Sequence, residues 1–414
     1  MHRLRTDAAG AAAAAARVRA MVPAGGSVAG AVAEIVAAVA EGGDAALLDH
    51  ERRFGGGGEP LRVDTDELAV ALDGLDAGVR AGLEVAVANV GRVATAGLAA
   101  DVDVALAEGQ HVRLRELPVR RAAVYAPGGR TPYPSSVVMG AVTARAAGVA
   151  EVVVAAPGHP LILAACALCE ADEVYRMGGA QAVAALAYGT ESVAPVDVIV
   201  GPGNLYVQEA KRQVSDRVGI DGFAGPSDLV AIATAGADPH LVALDLLAQA
   251  EHGDDSLVVA VSNDEALLDA IAGELAAGGQ TVADGPKVAV AAADAEAALA
   301  FAEALAPEHL ELVGEAAEAL APRVTRAGCL FVGAASATAF GDYVAGSNHT
   351  LPTGGAARFA SGLSARQFRR RMSEVRIGPA AAALAHAGVP IAEAEGFAVH
   401  AESMRARIRD NPPR

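Results

Sequence analysis

Positive charge is what this chain of 414 residues has least of. Its 32 lysines and arginines face 50 acidic side chains, for a formal net charge of -18. That balance excludes nucleic acid or an anionic membrane surface as the expected partner. Lysine is almost missing, with Lys211 and Lys287 alone; the other cations are arginines, which reads as compositional bias. Cysteine is scarce too. Cys166, Cys169 and Cys329 make an odd, low count that excludes a disulfide framework and fits a reducing, cytoplasmic compartment. Cys166-x-x-Cys169 has metal or redox spacing, but it sits in the apolar run Leu161 to Cys169, where two buried thiols are the better reading. There is no unbroken apolar span of membrane length: Val152 to Cys169 is split by Pro157-Gly158-His159-Pro160 into strand, turn and helix. The opening Met1 to Arg5 and the alanines Ala11 to Ala16 only faintly mimic a leader. Asp7 interrupts them, so a short helical segment over 1–24 is expected. No G-x-G-x-x-G occurs, which removes the ordinary dinucleotide fingerprint.

What is present is a change of pattern. The length admits two or three domains. Up to about residue 115 the chain reads as helices: Val28–Ala40, Glu67–Leu72 and Gly82–Val93, punctuated by Gly42-Gly43 and Gly55 to Gly58. From Ala122 short apolar strands alternate with helices. Strands are expected at Ala122–Tyr125, Glu151–Ala156, Glu173–Arg176, Asp197–Val200 and Leu229–Ala233. A second series follows at Leu257–Val261, Val288–Ala291, Glu311–Val313 and Leu330–Val332. Two such series predict an α/β fold with two parallel-sheet units covered on both faces. From Phe359 the chain turns polar and arginine-rich, then helical over Pro379–Ala387 and Ile391–Ile408, which reads as a separate tail domain.

Several loops carry residues suited to chemistry. Asp238-Pro239 caps a helix that Gly253 ends, and Gln249 and His252, three apart, share a face of its last turn. Such a pair can hold a metal or a polar substrate; alone, it is most often solvated surface. Three glycine loops follow expected strands: Tyr125-Ala126-Pro127-Gly128-Gly129, Gly178-Gly179-Ala180-Gln181 and Gly201-Pro202-Gly203-Asn204. At the carboxyl ends of parallel strands they mark the usual ligand edge, with tight turns as the alternative. Ser227, in Gly225-Pro226-Ser227-Asp228, is a ligand contact or a plain turn residue. Glu308-His309, read as a loop pair, can supply two separate acid–base groups or form a surface turn. In the long polar loop Gly341 to Gly355, Asp342 suits a metal and His349 could serve too, though a loop histidine is usually solvated. Glu395 and His400 are a further carboxylate and imidazole.

Taken in order, these segments resemble the histidinol dehydrogenase family from about residue 25 onward. The match includes Pro134-Ser135-Ser136-Val137, Gln249-Ala250-Glu251-His252, Pro307-Glu308-His309-Leu310, Gly341-Asp342-Tyr343, Gly346 to His349 and Ser361 to Ser364. The resemblance implies oxidation of L-histidinol to L-histidine through an aldehyde, with two NAD per turnover. It implies one zinc held by Gln249, His252, Asp342 and His400, an N/O donor set suited to that metal. It assigns acid–base chemistry to Glu308 and His309. Substrate contacts fall to Ser227, Gln249, His252, His309, Asp342, Glu395 and His400, and NAD contacts to Tyr125, Gln181 and Asn204. The implied fold is two incomplete Rossmann-like domains and a helical tail in an intertwined homodimer, each tail completing the partner's site. Residues 25–119 with 229–358 would form one domain, 120–228 the NAD-contacting one, and 359–414 the tail. Asp228 departs from the family's usual Glu, and Phe368 to Ser373 from its usual run. Three other readings remain: a paralogue oxidising another primary alcohol such as a sulfonated diol, a zinc hydrolase using Glu308, and a non-catalytic binding protein.

Overall fold

The computed structural model describes residues 1–23, 26–54, 60–128, 131–278 and 284–409. The chain divides into two compact units, Met1–Gly97 with Val119–Phe368, and Leu98–Pro118 with Arg369–Arg414. The first holds two parallel sheets. One has six strands in the spatial order β1 (His2–Thr6), β11 (Lys287–Ala292), β10 (Leu257–Ser262), β9 (Asp228–Ala233), β12 (His309–Val313), β13 (Cys329–Val332). The other has five, in the order β6 (Glu173–Tyr175), β5 (Glu151–Ala155), β4 (Arg121–Tyr125), β7 (Val198–Val200), β8 (Gly219–Ile220).

Continuous apolar runs make these strands because both faces are covered. In β9, Leu229, Ala231 and Ala233 pack with the helices Pro239–Ala250 and Glu265–Gly278. Val230 and Ile232 face the opposite layer, with Ala11–Arg19 and Ala295–Leu305. The second unit is built differently. Its strands β14 (Arg369–Arg376), β3 (His111–Pro118) and β2 (Val102–Ala105) form an antiparallel sheet, and the helices Ala381–Ala394 and Ala398–Arg409 pack on each other.

Three expectations need correction. The opening segment contains its helix, Ala11–Arg19, but a strand precedes it: β1 pairs in parallel with β11. The charges in His-Arg-Leu-Arg-Thr hide this strand, and they are tolerated because it has one neighbour only. Residues 25–119 do not pack as a block with 229–358. The helix Ala29–Phe54 buries Val32, Ile35, Val36, Val39 and Leu47 in the core of the five-stranded sheet. Thr65–Asp73 lies on the helix Pro160–Leu168, and Ala77–Ala96 on Pro134–Ala146. Their Ala/Val stripes show which face is buried but carry no information about the partner. Finally, residues 102–118 join the tail unit through β2 and β3.

Arg121 fastens the five-stranded sheet at the start of β4. Its side chain is buried and donates from Nη1 to Glu151 Oε2 at 2.8 Å and from Nη2 to Glu173, reaching the first residues of β5 and β6. Without Arg121, Glu151 keeps Arg120 and Glu173 keeps Arg62 and the Tyr175 hydroxyl, so Arg121→Met removes two charge-assisted hydrogen bonds and should cost about 2 kcal/mol. A lowered urea midpoint at unchanged slope would register it; an unchanged midpoint would refute the role.

Candidate active site

A polar cluster forms at the amino edge of the six-stranded sheet. Ser227 immediately precedes β9 and Glu308 immediately precedes β12. These strands pair with His309 opposite Leu229, which sets Glu308 beside Asp228. Glu308 N–H donates to Asp228 Oδ1 at 2.8 Å, and Asp228 N–H donates to Glu308 Oε2 at 3.1 Å. The Ser227 hydroxyl donates to the same Oε2. Gln249, in the last turn of Pro239–Ala250, donates from Nε2 to Ser227 Oγ at 2.5 Å. That helix starts as its sequence predicts: Asp238 Oδ1 accepts from His240 N–H, and Pro239 fills its first turn.

His309 is not on a surface turn. It opens β12, pairs in register with Cys329 of β13, and is buried with Glu308. The ring lies 5.9 Å from that of Phe331, and its Nδ1 has no hydrogen-bond partner. Nδ1 stands 3.7 Å from Glu308 Oε2, and Nε2 3.9 Å from Asp342 Oδ1. Both distances are too long for hydrogen bonds. Burial, reinforced by the charges of His252 and His349, pushes the His309 pKa down to about 4. The Glu308 carboxyl is held well above its usual range, first by burial and then by the charges of Asp228 and Asp342, against the Ser227 hydrogen bond. At neutral pH His309 is therefore a neutral imidazole with a free lone pair, the burial that keeps it neutral also making it a weaker base than a solvated histidine, and the pair is not an ion pair.

The expected metal ligands divide between the two units. Gln249, His252 and Asp342 lie in the first, with Asp342 near the end of the short helix Thr338–Tyr343. His252 Nδ1 lies 3.1 Å from Gln249 O. A carbonyl can only accept, so Nδ1 carries the proton and Nε2 is bare in the neutral ring, as a metal ligand requires. With Gln249 Nε2 turned to Ser227, Oε1 is the amide atom left to bind. Burial raises the Asp342 pKa, which a cation would reverse. These donors fit zinc in kind. No group of three or more His, Cys, Asp or Glu side chains among the described residues is placed to hold a metal, and His400 belongs to the tail unit. Glu395 ends Ala381–Ala394, His400 lies on Ala398–Arg409, and both are exposed there.

The three expected NAD-contacting residues come together. Tyr125, Gln181 and Asn204 line one cleft of about 1000 Å³ at the carboxyl edge of the five-stranded sheet, along with Gly128, Gly178 and residues of Ala29–Phe54 such as His50. Gly129 lies outside the described residues. The helix ends around this cleft are already engaged. Gly178 N–H donates to buried Glu51 Oε1, as does Gln181 Nε2, and Gly179 N–H donates to the Tyr125 hydroxyl. Asn204 Oδ1 caps its own helix through Tyr206 and Val207 N–H. Gly201 has φ +120°, and a Cβ there would meet Tyr125 O at 2.1 Å, so glycine is required for this close approach.

Sequence reasoning missed Glu51, which has no local motif, and underrated His349. His349 Nε2 is buried without a partner, and burial next to the charge of His252 pushes its pKa down to about 4. The usual solvation of loop histidines fails here because Asn348 ties the loop to Met139 O, at 3.0 Å, on the helix Pro134–Ala146. In the metal-free protein, His309 and His349 must charge as the chain unfolds in acid. Their stabilising effect should therefore be lost as pH falls from about 6.5 to about 4. Glu308 acts in the opposite sense, its native proton being lost as pH rises. His349→Gln should flatten the acid limb of the urea midpoint against pH; an unchanged limb would refute a buried neutral ring.

A family model described as histidinol dehydrogenase matches residues 22–408. A histidinol dehydrogenase of Parasynechococcus marenigrum is 43% identical over 399 residues, covering 92% of this chain and 91% of that protein. Another, from Mycobacterium bovis, is 43% identical and covers 98% of each chain. The crystal structure of histidinol dehydrogenase from Elizabethkingia anophelis is 28% identical, covers 99% of this chain and 98% of its own, and superposes with a TM-score of 0.92.

Proposed function

Because the chain belongs to the histidinol dehydrogenase family, we propose that it oxidises L-histidinol to L-histidine through L-histidinal, the closing step of histidine biosynthesis. The change removes four electrons in two steps. The alcohol R–CH2OH loses a hydride and a proton to give R–CHO. Water adds to give R–CH(OH)2, which loses a second hydride and proton to give the acid. NAD, when bound, supplies the hydride acceptor for both steps.

The observation that carries the reading is the chain Gln249–Ser227–Glu308, which ends beside a buried neutral His309. His309 takes the hydroxyl proton as each carbon–hydrogen bond breaks. Glu308, once deprotonated, takes a proton from the water that adds to the aldehyde; its raised pKa makes it a stronger base than a solvated carboxylate. Ser227, fixed by Gln249, offers a hydroxyl to the polar end of the substrate. Gln249, His252, Asp342 and His400 would hold zinc, whose charge would orient the amino and imidazole nitrogens of the substrate. The cleft holding Tyr125, Gln181 and Asn204 has the volume of a small-molecule site and supports a nucleotide partner over a simple hydrolase.

His400 and Glu395, exposed on the tail unit, are read as serving the site of a second copy in a homodimer. No described helix is long and apolar enough to cross a membrane. The low, odd cysteine count supports a cytoplasmic enzyme.

The zinc-loaded protein should release two NADH per L-histidinol, lose activity with a chelator and regain it with zinc. Absence of NADH with zinc bound would refute L-histidinol as the substrate and favour another primary alcohol. Glu308→Gln and His309→Asn should each lower turnover on the order of 10²–10⁴-fold. Glu308→Gln should spare the first, alcohol-oxidising step relative to the second. Mixing inactive His400→Ala and Glu308→Gln subunits should restore roughly a quarter of the sites, since half the dimers are mixed and each has one intact site. No recovery, with subunit exchange demonstrated, would refute the shared site.

A further inference from the structure

The residues around Glu308 include one cation that the proposed mechanism does not use. Arg19 ends the helix Ala11–Arg19 and lies outside the 22–408 span matched by the family model. It crosses to the amino edge of the six-stranded sheet and donates from Nη1 to Asp228 Oδ2 at 2.5 Å. From Nη2 it donates to Leu305 O at 2.9 Å. Asp228 is wholly buried, and its other oxygen, Oδ1, accepts the Glu308 N–H at 2.8 Å. Leu305 is the last residue of the helix Ala295–Leu305, whose cap, Ala306, has φ +50°. Two residues later the chain reaches Glu308. One guanidinium thus grips Glu308 from two directions: through the Asp228 carboxylate on the neighbouring strand, and through the helix end that delivers Pro307-Glu308.

We propose that Arg19, acting through Asp228 and the Leu305 carbonyl, is the positioning residue that holds Glu308 for water activation. A buried carboxylate needs a paired cation to stay charged, and only a charged Asp228 binds the Glu308 N–H strongly. The planar guanidinium can serve a carboxylate and a carbonyl at once, whereas an ammonium is a point charge. Asp228 and Glu308 also exchange two backbone-to-side-chain hydrogen bonds. Loss of Arg19 therefore disturbs the Glu308 carboxylate itself, the acceptor of Asp228 N–H, as well as its backbone.

The inference rests on the reading of Glu308 as the group that activates water, and its test separates the two. With Arg19→Met, turnover of L-histidinal should fall at least tenfold while KM for L-histidinol and for NAD stays within twofold. NADH released per L-histidinol should drop from two toward one as aldehyde escapes. Arg19→Lys should lie between wild type and Arg19→Met, and it serves as the test if the Met variant does not fold. An equal fall in both half-reactions, or no fall in a folded variant, would overturn the inference. A stability cycle reads the same coupling without substrate. Urea midpoints of Arg19→Met, Glu308→Gln and the double variant should be non-additive if Arg19 acts on Glu308. Additive shifts would overturn the inference even if wild type proves inactive on L-histidinol. Non-additive shifts with an inactive wild type would retain the Arg19–Glu308 link and fault the substrate assignment alone.

Discussion

The burial of two acidic side chains at one point, Asp228 and Glu308 at the start of adjacent central strands, is the constraint on which the rest depends. Two carboxyls so placed cannot both be charged without compensation. The protein compensates asymmetrically. Asp228 receives an arginine and a backbone N–H, whereas Glu308 receives a serine hydroxyl and a backbone N–H. The first arrangement favours a carboxylate; the second leaves the proton less tightly decided. On the function proposed above, Asp228 is the fixed anchor and Glu308 the group that exchanges a proton. The helix carrying Gln249 and the short helix carrying Asp342 bring those side chains to the same cluster.

The two sheets take different parts. The cleft with Tyr125, Gln181 and Asn204 sits where open α/β sheets usually bind ligands, past the carboxyl ends of strands. The Ser227–Glu308–His309 cluster sits at the opposite, amino end of strands in the other sheet. The cleft also differs from a simple anion cradle. Glu51, the Tyr125 hydroxyl and Asn204 already take helix N-terminal N–H groups. For the nucleotide proposed above, shape and side-chain contact would be left to do the recognising, in keeping with the missing glycine fingerprint.

Much of this was legible in the sequence, and the failures have physical causes. Strands buried on both faces announce themselves by composition, so β4, β5, β9 and β10 lie within a residue or two of their expected bounds. Strands β1, β3 and β14 do not, because their charges are exposed. In the β3–β14 pair, Arg371 meets Glu116 and Arg115 meets Glu374 across the strands, a code visible only once the strands are paired. A short motif marks Glu308 and His309 as candidates but says nothing of their burial, since a Glu-His dipeptide looks the same at a turn. Arg19 and Glu51 act over sequence separations of 209 and 127 residues, and no local pattern records such contacts.

The pairing of β9 with β12 also bears on how this protein can change over time. Ser227, Asp228, Glu308 and His309 take their spacing from the fixed distance between two hydrogen-bonded central strands, not from flexible loops. Adding or removing one residue within either strand would turn its side chains to the opposite face. Lineages can therefore lengthen or trim surface turns elsewhere with little penalty, while an insertion within β9 or β12 pulls this cluster of side chains apart in a single event.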